Sequence, residues 1–337
     1  MIVVSDNYIK DPVVSVRIIT YNQEKTISQT IESVLNQNCT YPFEIVIGED
    51  CSTDKTRSIC VDYQKKYPQK IKLLLQEKNK GLVPNWIDVN SLTKGKYLAG
   101  LAGDDYWHNP DKLQISIDYL ERNRDTGIVY TDFDKLYQSS GKRIKNVNAR
   151  LKGVEFESDN QIKSIIERKL WIVPLTSCLV KELYDKYIPV KDYLKYNFPI
   201  EDLPTWLLLS KHTKIGYIPV STGTRRVGHE SLSNPLTYEK IEDGIASRLQ
   251  MRKRLSEILP DDFVYDEQKV INYNYNKLLQ LAFRKRDFIS ARKFGKILLD
   301  NDYKSAKVRF SQNLMMFKSY VYLRGIRNFL LYSSTRT

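Results

Sequence analysis

The sequence has few cysteines, and their spacing builds nothing. Cys39, Cys51, Cys60 and Cys178 contain no CxxC pair. This argues against a zinc or disulfide framework and predicts free thiols in a reducing compartment. No apolar run approaches the roughly 20 residues needed to span a bilayer. No basic segment followed by an apolar core opens the chain, so no signal peptide is expected. The first strand–helix turn, Thr20-Tyr21-Asn22-Gln23-Glu24-Lys25, lacks both GxGxxG and GxxxxGK(S/T). That argues against a Rossmann-type dehydrogenase and a P-loop nucleotide hydrolase. There is no internal repeat. No low-complexity basic arm or nucleic-acid-binding motif is present either, so nucleic acid is not an expected partner.

What is present is ordinary for a soluble globular protein: 337 residues, 42% hydrophobic and 28% charged. The length allows one large domain or two moderate ones. The formal net charge of +13 favours an anionic partner, either a phosphorylated substrate or an anionic membrane surface. The 23 tyrosines suit stacking on sugars as well as half-buried packing.

Residues 13–19 (VVSVRII) read as a buried strand rich in β-branched residues. A helix follows, with Ile27, Ile31, Val34 and Leu35 at helical spacing. Strands are expected at 43–47, 71–75 and up to Ala102, with helices around 59–67 and 84–91 between them. Such alternation implies a mostly parallel sheet with helices on both faces. Its strand ends carry Thr20, Asp50, and the pair Asp104-Asp105, which a parallel sheet brings to one edge. Ligands bind at that edge in open α/β sheets. Adjacent carboxylates there repel unless a cation or sugar hydroxyls stabilise them. The bland alternative is an acidic surface turn. Asn109-Pro110-Asp111 predicts a helix start, with Asn as N-cap and Pro at the first position, running to 123. Gly127 to Phe133 read as a strand, 138–153 as a loop or short hairpin, and 159–169 as helical.

Further on, Glu201-Asp202 opens an apolar helix with Pro204 in its first turn. Residues 215–220 read as a short strand. Residues 224–233 read as a polar loop, in which Arg225 and Arg226 suit phosphate and His229 suits a metal or substrate contact. Beyond residue 235 helices are expected at 238–259, 265–283, 287–300 and 303–332. The last is basic and amphipathic. It fits either an anionic membrane surface or a helical bundle with solvated Lys and Arg.

Three stretches resemble the family 2 glycosyltransferases of the GT-A fold. They are Val-Ser-Val-Arg-Ile-Ile-Thr-Tyr-Asn, Glu-Ile-Val-Ile-Gly-Glu-Asp-Cys-Ser-Thr-Asp, and Gly-Asp-Asp-Tyr-Trp-His-Asn-Pro-Asp-Lys-Leu. The likeness covers roughly residues 12–135. It continues weakly through Glu201-Asp202-Leu203-Pro204 and Arg226-Val227-Gly228-His229. It implies a Rossmann-like GT-A domain over 1–235 and a helical region over 236–337. It also implies an inverting, hexosyltransferase-like transfer from a nucleotide-sugar donor to a glycan or lipid-linked saccharide in surface-polysaccharide synthesis. By resemblance, Thr20, Tyr21, Asn22, Asp50, Asp104 and Arg226 contact the donor. Asp105 and His229 ligate Mn2+ or Mg2+, and Asp202 is the base, with Glu201 beside it. The implied location is cytoplasmic and peripheral on the inner face of the cell membrane, with oligomers allowed. Two residues depart from the pattern. Ala102 stands where many members carry a first acidic residue, and Cys51 stands where glycine is common. The competing reading is a non-catalytic nucleotide-sugar or glycan-binding module.

Overall fold

The computed structural model describes residues 2–4, 9–151, 165, 172–227, 237–259 and 266–333. The helix expected at 159–169 lies outside the described residues except at Ile165, as do His229 and the rest of 228–236. Spatial contacts divide the chain into two units, Met1–Asn234 with Arg254–Phe263, and Pro235–Lys253 with Val264–Thr337.

The first unit is built on a ten-stranded sheet. Its strands are β1 (Ile2–Val4), β2 (Val14–Thr20), β3 (Phe43–Glu49), β4 (Ile71–Leu75), β5 (Tyr97–Ala102), β6 (Tyr106–Trp107), β7 (Thr126–Tyr137), β8 (Arg143–Ile144), β9 (Ser177–Val180) and β10 (Lys214–Val227). The order is β1-β4-β3-β2-β5-β9-β7-β10-β6, with β8 pairing β7. Parallel ladders join β3 to β4 and β2, β2 to β5, and β7 to β10. β9 runs antiparallel to both β5 and β7. The two reversals cancel, so β2, β3, β4, β5, β7 and β10 all point the same way. Their C-terminal ends share one rim.

Alternation along the strands explains the two layers. Val14, Val16 and Ile18 of β2 join Phe43, Ile45 and Ile47 of β3 and Ile71 and Leu73 of β4 in the main core. There they meet α1 (Ile27–Leu35), α2 (Thr56–Lys66) and α4 (Lys112–Arg122) through Ile27, Ile31, Val34, Cys60, Leu113 and Ile117. The other face carries Val46 and Leu74 against Val89 of α3 (Leu82–Ser91). It also buries polar groups, including Arg17, whose guanidinium donates to Ala99 O (3.2 Å) and Asn90 Oδ1 (2.7 Å). Helices therefore cover both faces, as the alternation predicts. α5 (Lys181–Tyr187) and α6 (Val190–Lys195) join α3 through aromatic rings: Trp86 stacks on Tyr193 at 5.8 Å and meets Tyr184 edge-on at 5.6 Å. α7 (Asp202–Ser210) completes this side.

Three local expectations are corrected. Asn109 does not cap a helix. Its Oδ1 accepts the Asp111 N–H (2.8 Å) in a local turn, and α4 starts only at Lys112. Between Asp105 and that turn the chain inserts β6, which pairs antiparallel with Gly223 and Thr224. Finally, Arg225 and Arg226 are not in a loop. β10 runs through Val227, because its ladder with β7 resumes after bulges between Ile218 and Gly223.

The second unit is helical: α8 (Tyr238–Ile258, through Lys253), α9 (Glu267–Lys285), α10 (Phe288–Asp300), α11 (Ala306–Ser311) and α12 (Leu314–Ser333). Leu278, Leu279, Phe283, Phe294, Leu298 and Phe317 form its core. Side-chain caps set the breaks. Asp266, Asp287 and Ser305 accept the Lys269, Ser290 and Val308 N–H groups. The single helix expected over 303–332 is two, because Asn313 Oδ1 accepts the Met315 and Met316 N–H groups (2.9 and 3.2 Å) and starts a new helix.

Candidate active site

The rim is assembled from strand ends outward. β2 ends at buried Thr20, whose carbonyl accepts the Asp50 N–H (3.0 Å) at the end of β3. On its other side the Gly103 N–H, just past β5, donates to Ile19 O (3.0 Å). A Cβ on Gly103 would lie 2.6 Å from Thr20 Oγ1 and 2.4 Å from Gln23 Oε1, so only glycine allows this approach. Thr20, Asp50 and the Asp104-Asp105 pair thus follow one another along three adjacent strands. Tyr21 and Asn22 are exposed at the turn after Thr20. Asn22 adopts φ +52°, its N–H donates to Ser52 Oγ (3.0 Å), and its Oδ1 accepts the Thr53 N–H (2.8 Å). Cys51 sits at φ +60°, in the left-handed region. This is the physical reason that glycine suits the position.

Asp50 is buried, and both its oxygens are committed. Oδ1 accepts the Lys80 N–H (2.8 Å), and Oδ2 accepts the Gly81 N–H (2.9 Å). Burial raises its pKa and favours the neutral form, while these two amides pull the other way. Gly81 takes φ +86° to complete the turn. Asp50 therefore shapes the 79–81 segment beside the rim.

Asp105 is 7% exposed, and its Oδ1 accepts the Arg226 N–H (2.9 Å). Burial, then the negative charge of Asp104, holds its carboxyl well above the usual range. The Arg226 N–H and the Arg225 and Arg226 cations oppose this shift. The Arg226 guanidinium donates to the Asp104 carbonyl and to Gln29 Oε1, and it lies 4.7 Å from the Tyr106 ring centroid. Arg226 thus ties the end of β10 to the acidic pair. Gln29 and Tyr106 were not among the expected site residues. Tyr106 follows the pair directly and pairs opposite Thr224, a signal that recognition of β6 would have supplied. Nothing in the sequence marks Gln29. Among the described residues no group of three or more His, Cys, Asp or Glu side chains could hold a metal ion. Two adjacent, mutually repelling carboxylates fit a divalent cation whose remaining ligands are substrate oxygens and water.

Glu201 and Asp202 open α7. Glu201 is 8% exposed, and Asp202 is half-buried with Oδ1 accepting its neighbour Leu203 N–H (2.7 Å). Burial, then Asp202, pushes the Glu201 carboxyl up to about 8, against its own backbone N–H and then Arg17. At Glu201, burial and like charge therefore outweigh the helix N-terminus. Glu201 lies close enough to Arg17 of β2, three residues before Thr20, for the two charges to interact.

Residues 15–167 match the family described as glycosyl transferase family 2. A putative teichuronic acid biosynthesis glycosyltransferase, TuaG of Bacillus subtilis, is 31% identical over 138 residues, covering 41% of this chain and 53% of that protein. The matches span from 17% to 53% of the curated relatives' own length, less than two thirds in each case. Two solved structures share the fold. TarS of S. aureus in complex with UDP-GlcNAc has a TM-score of 0.54 at 16% identity, covering 84% of this chain and 80% of that one. The mannosyltransferase PcManGT of Pyrobaculum calidifontis, in complex with GDP-Man and Mn2+, has a TM-score of 0.52 at 14% identity, covering 95% and 88%. The chain has the mixed α/β architecture of GT-A glycosyltransferases.

Proposed function

We propose that this chain, whose residues 15–167 match glycosyl transferase family 2, transfers a sugar with inversion from a nucleotide-diphosphate donor to a hydroxyl of a glycan or lipid-linked saccharide. The observation that carries this reading is the continuous rim joining Thr20, Asp50, Asp104-Asp105 and Arg226. The nucleoside end of the donor lies along Thr20, Tyr21, Asn22 and the Asp50-shaped turn, with Asp104 towards the ribose and sugar. Asp105 would hold a Mn2+ or Mg2+ ion, with the donor's oxygens and water completing its coordination. When bound, that ion offsets the charge gained by the leaving diphosphate. Arg226, fixed by Gln29 and Tyr106, adds positive charge at the same place. Asp202 takes the proton from the acceptor hydroxyl as the new bond forms on the face opposite the leaving group. A role in surface-polysaccharide synthesis is supported by the likeness to TuaG, and a nucleotide-sugar donor by the shared fold with TarS and PcManGT.

The test screens nucleotide sugars with Mn2+ by thermal shift, then measures turnover of the hit. Asp202→Asn keeps donor binding and lowers turnover about 100-fold or more, the usual scale for a lost general base. Near-normal turnover removes Asp202 from the role. Donor binding with no transfer or hydrolysis in the unaltered chain indicates a binding module instead. Asp105→Ala weakens donor affinity in Mn2+ about tenfold or more and abolishes the difference between assays with and without the ion. An unchanged difference on titration calorimetry rejects the metal assignment.

A further inference from the structure

Lysines and arginines are spread along the whole chain, but the acids that balance them are not. Residues 284–337 hold 13 Lys and Arg against 3 Asp and Glu, an excess of 10 that makes up most of the net +13. Among the described residues, this segment also carries the most exposed large apolar side chains. Ile289 is 83% exposed, Met315 78%, Tyr322 70% and Leu323 64%. Their spacing on α12 is regular. Met315 and Tyr322 are seven residues apart, as are Met316 and Leu323, so they line one stripe. That stripe lies opposite Phe317, which is 3% exposed and packs inward on Phe283 and Phe288 at centroid distances of 4.6 and 5.5 Å. α12 is therefore apolar on two faces, and only the inner one is covered by the helical core. The same ring contacts bring the end of α9 and the start of α10 to the first turns of α12. There Arg284, Lys285, Arg286 and Ile289 are exposed, with Lys318 flanking the stripe.

We propose that the outer face of α12, with the basic end of α9 and Ile289, lies on the surface of an anionic lipid bilayer. An apolar stripe flanked by cations is what inserts at the headgroup boundary, the charges meeting anionic lipid while the apolar side chains enter the acyl edge. No described helix is long and apolar enough to cross a membrane, so the contact is along the surface. A second copy of the chain is a poorer occupant, because it would bring two strongly basic surfaces together. This inference does not depend on the proposed sugar transfer.

The test is co-sedimentation of the full chain with vesicles of phosphatidylcholine, alone or mixed with phosphatidylglycerol. The expected result is binding to the mixed vesicles only, weakened when salt rises from about 0.05 to about 0.5 M. The paired change Met315→Ser with Leu323→Ser is expected to lower that binding about tenfold or more, with an unchanged thermal melt by circular dichroism. Equal binding to neutral vesicles overturns the proposal. So does binding that the paired change leaves intact, which is adsorption by charge alone. A chain that ignores vesicles but changes oligomeric state with the paired change, by analytical ultracentrifugation, has a self-interface there instead.

Discussion

Glu201 is a buried acid that gains nothing from ionising where it sits. Its carboxyl is raised from 4.5 to about 8 in the fold, so the protonated form is the one the folded state prefers. Its contribution to stability is fully present below about 4.5, falls as pH rises, and is lost by the time pH passes about 8. Glu201→Gln removes that titration. The variant is expected to match the parent near pH 4.5 and to exceed it by more than ~1.4 kcal/mol above pH 8, the worth of a single unit. Urea unfolding across this range checks it, and a constant difference at all pH values contradicts it. Gly103 acts by being small. Gly103→Ala drives a methyl into Thr20 and Gln23, costs about 1–3 kcal/mol by overpacking, and displaces Thr20 from the rim. Loss of both stability and donor affinity is expected, measured by urea unfolding and calorimetry.

At the level of elements, β6 decides where the acidic pair points. It is two residues long, and its hold comes from its partners. Trp107 is 3% exposed and donates Nε1–H to Leu175 O (2.8 Å), while the His108 ring spans Thr224 Oγ1 (3.0 Å) and Ser221 O (3.1 Å). Trp107→Phe keeps an aromatic ring but leaves the Leu175 carbonyl unpaired in the core. A loss of about 2 kcal/mol in unfolding free energy is expected, together with weaker donor binding as Asp104 and Asp105 lose their register with Arg226. Unaltered donor affinity would separate β6 from the site. This strand was invisible in the sequence, since Tyr-Trp between two acids and an Asn-Pro carries no alternation to read. The long strands were legible, because β-branched runs bounded by turn residues leave little choice. β10 is longer than its sequence suggests for a related reason: Ser221, Gly223 and the two arginines look like a loop, and only pairing with β7 makes them a strand. The break before α12 was hidden by helical periodicity that runs straight through Asn313.

For the molecule as a whole, the order of the acidic motifs along the chain was enough to place them on neighbouring strands. Their environments were not. That Asp50 spends both oxygens on a backbone turn, and that Glu201 rather than Asp202 is the deeply buried member of its pair, depends on contacts between segments far apart in sequence. The reversed strand β9 has a consequence for how such a chain can vary. β7 ends at the rim, and β9 enters the sheet from the rim side, so the segment between them has both its ends towards the rim. A change of length between Leu151 and Ile172 would re-register no parallel ladder, provided Leu175 still accepts from Trp107 and Asn148 and Ala149 still donate to Asp132. A scaffold so arranged can vary in that segment while Thr20, Asp50 and the Asp104-Asp105 pair stay where they are.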